Sequence, residues 1–359
     1  MSLGIGIIGL PNVGKSTFFN ALTGNKILAA NYPFATIEPN TGIVGVPDSR
    51  LQRLAELYGS KKIVPATVTF VDIAGLVKGA SEGEGLGNQF LGHIRSTNAI
   101  CHVVRAFNDN NVAHVDEQRD PKKDIETINT ELVLADLQTT DKRLAKLEKE
   151  AKANPKLQPV LEEIKKARTI LDGGTPLNHA DQEISQELIA DLQLTTAKPV
   201  IYVFNVDEQT LADDKRKAGL QELVGNAKTI FVCAKLEEEL QGLSKADAEE
   251  LLLTYGVDQP GLDKAIHSAY ETLGLQSFLT AGEKETRAWT VHKGSTAPQA
   301  AGVIHSDFER GFIAAQVVNY TDLIAAGSIA NAKAAGKVRT EGKDYVMQPD
   351  DVVEFRFNT

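Results

Sequence analysis

Cysteine, tryptophan and long hydrophobic runs are all scarce in this sequence of 359 residues. It contains two cysteines, one tryptophan and two methionines. Cys101 and Cys233 each lie in an apolar run, which argues against a disulfide-rich scaffold and predicts buried thiols in a reducing cytoplasm. No apolar stretch approaches the roughly 18 residues of a membrane span, and the chain enters a strand at once without a signal peptide. We therefore expect a cytoplasmic protein with no membrane partner.

Positive charge is also in deficit, because 38 Lys and Arg residues face 48 Asp and Glu residues and the net charge is -10. This balance argues against a protein that coats nucleic acid over its whole surface, although it is compatible with a local basic patch. The length and the 42% hydrophobic content predict two or three domains with substantial cores. Short β-branched runs alternate with amphipathic stretches, which predicts an α/β fold with a mostly parallel sheet.

A phosphate-binding loop is the clearest motif in the chain. Residues 9–16 read G-x-x-x-x-G-K-[ST] directly after the apolar run 4–8. In such a loop, backbone N–H groups point at the phosphates, Lys15 spans the β- and γ-oxygens, and Ser16 offers its hydroxyl to Mg²⁺. The sequence therefore predicts a nucleoside triphosphate site with Mg²⁺ as its cofactor. The nucleotide-binding residues expected here are Asn12, Val13, Gly14, Lys15, Ser16 and Thr17.

Two further segments are placed where nucleotide-sensing loops belong. The apolar run that begins at residue 68 ends in D-x-x-G, so we expect Asp72 to hold Mg²⁺ through water and Gly75 to sense the γ-phosphate. Thr36 lies in the proline-punctuated loop 31–40 and is the candidate switch threonine that closes on Mg²⁺; a surface turn hydroxyl is the alternative. The glycine-rich segment after Asp72 predicts a nucleotide-responsive lid, with a flexible connector as the alternative.

The segment that would read the base departs from the ordinary GTPase pattern. After a strand, a GTPase carries N-K-x-D, whereas residues 205–208 here are N-V-D-E. The Asp of that motif accepts hydrogen bonds from guanine N1–H and the exocyclic amine, and adenine has neither donor there. Glu208 carries its carboxylate one methylene further out, and Val206 lacks the stem and charge of Lys. Because a missing buried hydrogen bond costs about 1–3 kcal/mol, we predict that ATP is preferred to GTP. The predicted base-pocket residues are Asn205, Val206, Glu208 and Ala234, the last in the C-A-K segment that stands where a GTPase has S-A-K.

A helical stretch with a basic tip lies between these motifs. From about residue 124 to 171, apolar residues recur at three- and four-residue steps, and Asn154-Pro155 interrupts the run, which predicts an antiparallel helical hairpin. Residues 141–168 hold nine basic and five acidic residues. A solvated helix face explains this excess without a partner, and electrostatic steering to RNA phosphates is the sharper interpretation. The basic residues are Lys142, Arg143, Lys146, Lys149, Lys152, Lys156, Lys165, Lys166 and Arg168.

The C-terminal part has its own character. Residues 289–291 and 345–347 predict strands, and residues 348–355 predict a turn that leads into a last strand. No catalytic set is evident here, so a binding module is the better interpretation, with RNA or protein as its partner.

Together, residues 9–16, 72–80, 83–88 and the N-x-x-E of 205–208 resemble the YchF (Obg-like ATPase) family, and the resemblance extends through essentially the whole chain. It implies a Ras-like P-loop NTPase domain with an inserted α-helical coiled-coil arm and a C-terminal β-grasp (TGS) domain. The corresponding boundaries are 1–122 with 196–280 for the nucleotide-binding domain, 123–195 for the arm and 281–359 for the TGS-like domain.

The resemblance also implies an ATPase that associates with ribosomes, with the large subunit as the expected contact, and Mg²⁺ held at Ser16 and Thr36. Leu76 stands where Ras-type GTPases place the catalytic Gln, so turnover should be slow unless another group orients the water; by resemblance, that group is His114. Lys15 is the other candidate catalytic residue. Asn12 matches the loop asparagine of potassium-stimulated relatives, which makes K⁺ a further candidate cofactor. Two alternatives stay open: an Obg-type GTPase switch, and an interaction protein that binds ribosomes or RNA without regard to nucleotide.

Overall fold

The computed structural model describes the chain in five stretches, and it divides the chain into two compact units. The first unit comprises Met1–Ile43 and Thr69–Ala269, and the second comprises Val44–Val68 and Tyr270–Thr359. The described residues are 3–24, 40–73, 86–107, 120–240 and 242–358.

The described strands form two six-stranded sheets, one based mainly on the first unit and one on the second. In chain order the strands are β1 (Gly4–Ile8), β2 (Thr41–Gly45), β3 (Ile63–Val64), β4 (Thr67–Asp72), β5 (Ala99–Ala106), β6 (Val200–Val206), β7 (Lys228–Val232), β8 (Leu275–Ala281), β9 (Thr286–His292), β10 (Phe312–Asn319), β11 (Arg339–Glu341) and β12 (Asp351–Phe357).

The described α-helices range from four to 33 residues in length. In chain order they are α1 (Lys15–Gly24), α2 (Ser49–Tyr58), α3 (Leu86–Ser96), α4 (Pro121–Ala153), α5 (Gln158–Asp172), α6 (Gln186–Ile189), α7 (Glu208–Leu211), α8 (Asp214–Glu222), α9 (Ala234–Glu239), α10 (Lys245–Thr254), α11 (Gly261–Thr272), α12 (Ala297–Ile304), α13 (Ser306–Arg310), α14 (Tyr320–Ala326) and α15 (Ile329–Ala334). Across the described ranges, no helix is both long and apolar enough to cross a membrane.

The first sheet has the order β2-β4-β1-β5-β6-β7. Strand β1 pairs in parallel with β4 and β5, β5 pairs in parallel with β6, and β6 pairs in parallel with β7. Strand β1 is buried along its whole length and β5 along nearly all of its length, which explains why both are mainly apolar and do not alternate with exposed polar residues. Because the strands are parallel, the carboxyl ends of β1, β4, β5 and β6 meet at one edge of the sheet.

The predicted helical hairpin is present in the first unit. Helix α4 begins after Asp120, whose carboxylate accepts a hydrogen bond from the Lys122 N–H, and it ends at Asn154. Helix α5 returns along it, and the two helices enclose an apolar core that includes Leu147 and Ile164. The Nε of Arg168 lies 3.0 Å from Oδ1 of Asp141, so the end of α5 faces the middle of α4, as an antiparallel hairpin requires.

A buried carboxylate fixes the base of this hairpin. Asp136 in α4 is fully buried, and it accepts four hydrogen bonds of 2.7–3.0 Å from the backbone N–H and hydroxyl groups of Thr195 and Thr196. Burial raises the pKa of the Asp136 carboxyl group, against the lowering effect of these hydrogen bonds. The contact connects α4 to the segment that leads into β6.

The second sheet has the order β11-β10-β12-β8-β9-β3 and is mixed. A β8–β9 hairpin contributes its first strand as the parallel neighbour of β12, and β12 pairs antiparallel with β10. Helix α12 packs its small residues Ala297, Ala300 and Ala301 against the apolar face that includes Phe278. A hairpin, a crossing helix and a last strand parallel to the first make a β-grasp arrangement.

Residues 44–68 belong to this second unit, although the sequence grouped them with the nucleotide-binding domain. Strand β3 pairs with β9 at the edge of the second sheet. Arg50 of α2 forms an ion pair of 2.7 Å with Asp350. The hydrogen bond with Asp48, and then that with Asp350, raises the pKa of Arg50 against the lowering effect of burial. The second unit also begins at Tyr270 rather than at the expected residue 281. Both differences arise from pairings between residues far apart in sequence, which a local pattern does not encode.

One predicted strand of the C-terminal part is wrong. Residues 345–347 do not form a strand, and Val346 makes only an isolated bridge to Thr296. The reason is the turn that follows: the Gln348 N–H donates to Asp351 Oδ2 at 2.8 Å, and this hydrogen bond bends the chain before β12 begins.

Candidate functional site

The phosphate-binding loop joins β1 to α1 with the backbone geometry that the motif requires. Gly14 has φ +93° and Asn12 has φ +63°, both in the left-handed region. A Cβ at Gly9 would lie 2.7 Å from the carbonyl oxygen of Val103, so only glycine fits there. Helix α1 starts at Lys15, and its N-terminal N–H groups therefore lie beside the loop, where they favour an anion.

Asn205 ties the end of β6 to this loop. Its side chain is buried, and its Nδ2 donates a hydrogen bond of 3.1 Å to the carbonyl oxygen of Val13. A Cβ at Gly14 would collide with the same Asn205 amide. Asn205 therefore positions the loop from behind, a role that sequence reasoning did not assign to it.

Lys15 and Asp72 meet at the same edge of the sheet. The Lys15 ammonium lies 2.6 Å from Asp72 Oδ1, and the two side chains are 10% and 17% exposed. The contact follows from the register of β1 and β4, in which Ile7 lies opposite Asp72. The predicted phosphate ligand and the predicted metal ligand are thus brought together.

Lys15 lines a cavity of about 550 Å³, a volume within the roughly 300–1,000 Å³ typical of small-molecule sites. Most of the predicted nucleotide ligands line it. Phe107, which no sequence motif indicated, also lines the cavity; it follows β5 at the carboxyl edge of the sheet, and its ring centre lies 4.4 Å from the Arg105 guanidinium. Its position after a buried parallel strand was the available signal, because such ends face the ligand. The lining residues are Leu10, Pro11, Asn12, Gly14, Lys15, Ser16, Thr17, Phe107, Asn205 and Ala234.

The predicted base-pocket residues are not all at the cavity wall. The Val206 side chain is 2% exposed and packs in the core with Phe204 and Leu236. Glu208 begins α7, and its Oε1 lies 2.6 Å from the Nζ of Lys235. The hydrogen bond from Lys235 lowers the pKa of the Glu208 carboxyl group, so this carboxylate is ionised and already paired. Ala234, the neighbour of Lys235, lines the cavity itself.

Other expected site residues lie outside the described residues. Thr36, Gly75 and His114 are among them, and their roles stay predictions. Ser16 and Asp72 supply a hydroxyl and a carboxylate oxygen, which are the donor types that Mg²⁺ prefers, so the described part of the site fits this ion. Among the described residues, no group of three or more His, Cys, Asp and Glu side chains forms a metal cluster.

Comparison with known proteins gives full-length matches. The family model described as a 50S ribosome-binding GTPase matches residues 4–137, and the YchF-GTPase C-terminal model, described as a protein of unknown function, matches residues 275–358. Over 365 residues the chain is 52% identical to a Bacillus subtilis protein named Ribosome-binding ATPase YchF, and 100% of both chains is covered. An Escherichia coli O157:H7 protein of the same name is 46% identical over 362 residues, again with 100% of both covered.

A solved structure also matches over the whole length. It is described as the structure of the Schizosaccharomyces pombe YchF GTPase, and it is 40% identical in sequence to this chain. The TM-score is 0.85, with 99% of this chain and 98% of that chain covered. The bacterial relatives are named ATPases, whereas the yeast protein is described as a GTPase. The names of the relatives therefore disagree about which nucleotide is used.

Proposed function

Because the chain belongs to the YchF family, we propose that it is an ATPase that binds Mg-ATP in preference to GTP, hydrolyses it to ADP and phosphate, and couples its nucleotide state to ribosome binding. The observation that carries the proposal is the convergence of Lys15, Ser16 and Asp72 at the carboxyl edge of a parallel sheet, beside a cavity of nucleotide size. The coarser conclusion, a P-loop nucleotide-binding protein, rests on the same geometry.

The chain's own residues divide the work of phosphoryl transfer. Lys15 leaves Asp72 for the β- and γ-phosphate oxygens, and the loop N–H groups hold the same oxygens. Ser16, Thr36 and Asp72 are the residues that hold Mg²⁺, which when bound offsets the charge on the phosphates. Gly75 senses the γ-phosphate, and His114 orients the attacking water. Leu76 occupies the position of the Ras-type Gln and its apolar side chain cannot orient water, so turnover depends on His114.

The preference for ATP follows from the pairing of Glu208. Guanine recognition needs a free carboxylate opposite N1–H and the exocyclic amine, and the Glu208 carboxylate is engaged by Lys235 at 2.6 Å. The Val206 side chain is buried in the core and cannot lie along the base as a Lys stem does. A guanine donor left without an acceptor costs about 1–3 kcal/mol, which converts to roughly five- to 150-fold in affinity.

Calorimetric titration tests this preference. Nucleotide-free protein is titrated with non-hydrolysable ATP and GTP analogues in Mg²⁺. We expect tighter binding of the ATP analogue by a factor within that range. Tighter binding of the GTP analogue would refute the proposed base preference and would favour an Obg-type GTPase switch.

The ribosomal part of the proposal rests on the relatives' printed names and on the helical arm. Sedimentation with ribosomes in the presence and absence of the ATP analogue tests it, and we expect binding to depend on nucleotide. Equal binding in both states would favour a nucleotide-independent interaction protein. The large subunit, RNA contacts through the arm, a TGS-like binding role for the second unit and a cytoplasmic location belong to the same proposal.

Potassium is the second proposed cofactor. Asn12, the loop asparagine that suggests this ion, lines the nucleotide cavity. We expect faster ATP turnover in KCl than in NaCl at equal ionic strength. Equal rates in the two salts would remove K⁺ from the proposal.

A further inference from the structure

A second cavity, of about 420 Å³, lies within the second unit and shares no lining residue with the nucleotide cavity. Its floor includes the buried side chains of Val318 from β10 and Val352 from β12, which lie opposite each other in register and are 2% and 5% exposed. Its volume falls in the range of about 300–1,000 Å³ that small-molecule sites occupy. The proposed ATPase activity gives this space no role.

Five polar side chains line this cavity: Tyr58, Thr280, Gln316, Lys333 and Glu354. Thr280 accepts a hydrogen bond of 2.9 Å from the Trp289 Nε1–H, whereas the other four side chains have no hydrogen-bond or ion-pair partner within the described part of the chain. The Lys333 and Glu354 side chains are exposed. Lys333 and Glu354 therefore present opposite charges to one space without neutralising each other. A few polar groups that converge on an apolar floor are the usual composition of a ligand site, because the floor binds an apolar body and the polar groups orient it.

The charges restrict the class of ligand. The Glu354 carboxylate would repel a phosphate ester or a fatty acid, while the Lys333 ammonium would repel a simple amine. A molecule that carries one charge of each sign close together, on an apolar body, satisfies both groups and the valine floor. The field of Glu354 reaches into the cavity, since burial and then this carboxylate raise the pKa of Tyr58.

We propose that the second cavity binds a free α-amino acid with an aliphatic or aromatic side chain. Its carboxylate pairs with Lys333, its ammonium pairs with Glu354, and its side chain packs on the floor of Val318 and Val352. The hydroxyl of Tyr58 and the amide of Gln316 supply further hydrogen bonds to the two charged groups.

Calorimetric titration of the full chain with L-leucine and with L-phenylalanine tests the proposal. Two analogues of leucine separate the charges: 3-methylbutylamine lacks the carboxylate, and 4-methylpentanoate lacks the ammonium. We expect saturable binding of at least one amino acid and at least about tenfold weaker binding of each analogue, because each lacks one charge-assisted hydrogen bond. Changes in the NMR chemical shifts of the Val318 and Val352 backbone amides on titration show whether the amino acid binds in this cavity.

Matched variants complete the test. Lys333→Met and Glu354→Gln each weaken amino-acid binding at least about tenfold, whereas Lys343→Met, which removes an exposed lysine outside the cavity, leaves it unchanged. Titration with the ATP analogue should be the same for all three variants, which separates this proposal from the nucleotide site. Three results would overturn the proposal. They are failure of both amino acids to bind up to about 10 mM, binding of 3-methylbutylamine or 4-methylpentanoate as tight as that of leucine, and undiminished amino-acid binding by Lys333→Met.

Discussion

The ion pair between Glu208 and Lys235 is the residue-scale feature on which nucleotide choice depends. It replaces the free carboxylate of a guanine pocket, and its 2.6 Å distance keeps Glu208 ionised and occupied. We expect Lys235→Met to release the carboxylate and to raise affinity for the GTP analogue several-fold while affinity for the ATP analogue changes little. The ratio of the two dissociation constants, measured by calorimetry, reports the effect.

Lys215→Met is the matched control, because this exposed lysine has no ion pair within the described residues. An unchanged nucleotide ratio in Lys235→Met would show that the ion pair does not set the preference. Val206→Lys is not a suitable test of the base pocket. It would bury an ammonium group beside Phe204 and Leu236, so we expect it to destabilise the core.

His102 makes stability depend on pH. It lies in β5, 2% exposed, with its ring 5.3 Å from that of Tyr202, and burial lowers its pKa to about 3. The pKa of this histidine is near 6.5 in the unfolded chain, so its contribution to the free energy of unfolding is fully present above that pH. The contribution is lost progressively as the pH falls from there toward 3, because only the unfolded chain takes up the proton. We expect the free energy of unfolding to drop between pH 7.5 and pH 5, and His102→Gln to flatten this slope.

Urea unfolding at the two pH values measures the slope. His292→Gln, a substitution of the same type at an exposed position, is the matched control. His179 also has a lowered pKa from burial, so part of the slope should persist in His102→Gln. A slope identical to that of the original protein would contradict the assignment.

At the scale of elements, the hairpin of α4 and α5 depends on one buried carboxylate. The Asp136 carboxylate accepts four hydrogen bonds from the N–H and hydroxyl groups of Thr195 and Thr196. In an asparagine at this position, one of the two accepting oxygens is replaced by an NH₂ group, which points its hydrogens at the donors of a threonine. We expect Asp136→Asn to lower the free energy of unfolding by about 1–3 kcal/mol at neutral pH. Asp141→Asn, on the same helix and paired with Arg168 at the surface, should cost no more than about 1 kcal/mol. Equal costs would show that the buried contact is not what anchors the hairpin.

The same elements show what the sequence could and could not predict. Three- and four-residue periodicity and Asn154-Pro155 predicted the hairpin, and the loop at 9–16 predicted β1 and α1; the structural match confirms this fold class. The partners of Asp136 lie about sixty residues away in the chain, and β3 joins a strand that starts at residue 286. Such pairings depend on where the elements pack, and no local pattern records that information.

The candidate site was predictable to a similar degree. Local motifs predicted Lys15, Ser16 and Asp72 as site residues, and the structure places them together. The burial of Val206 and the pairing of Glu208 with Lys235 were not predictable, because each depends on the side chains that neighbouring elements contribute. Thr36, Gly75 and His114 stay predictions.

At the scale of the whole molecule, a net charge of -10 must be reconciled with the proposed binding to a ribosome. An acidic protein is repelled by RNA overall, so any RNA contact must use a local cation cluster. The arm provides one, but its cations are unequal: Arg143, Lys165, Lys166 and Arg168 already pair with acidic residues. Exposed arm lysines without an ion pair, within the described residues, are Lys142, Lys146, Lys149, Lys152 and Lys156.

This inequality gives a matched experiment on ribosome binding. Lys142, Lys146 and Lys149 follow each other at four- and three-residue steps and share one face of α4. We expect Lys146→Gln with Lys149→Gln to weaken ribosome binding and to reduce the dependence of log K on log salt by up to about two, since each lost phosphate contact removes roughly 0.7–0.9 from the slope. Lys165→Gln with Lys166→Gln changes the net charge equally but removes cations that Glu162 and Glu163 already neutralise, so its slope should stay near that of the original protein. Equal losses in both double variants would mean that net charge alone governs the contact, and no loss in either would place the ribosome contact elsewhere on the molecule.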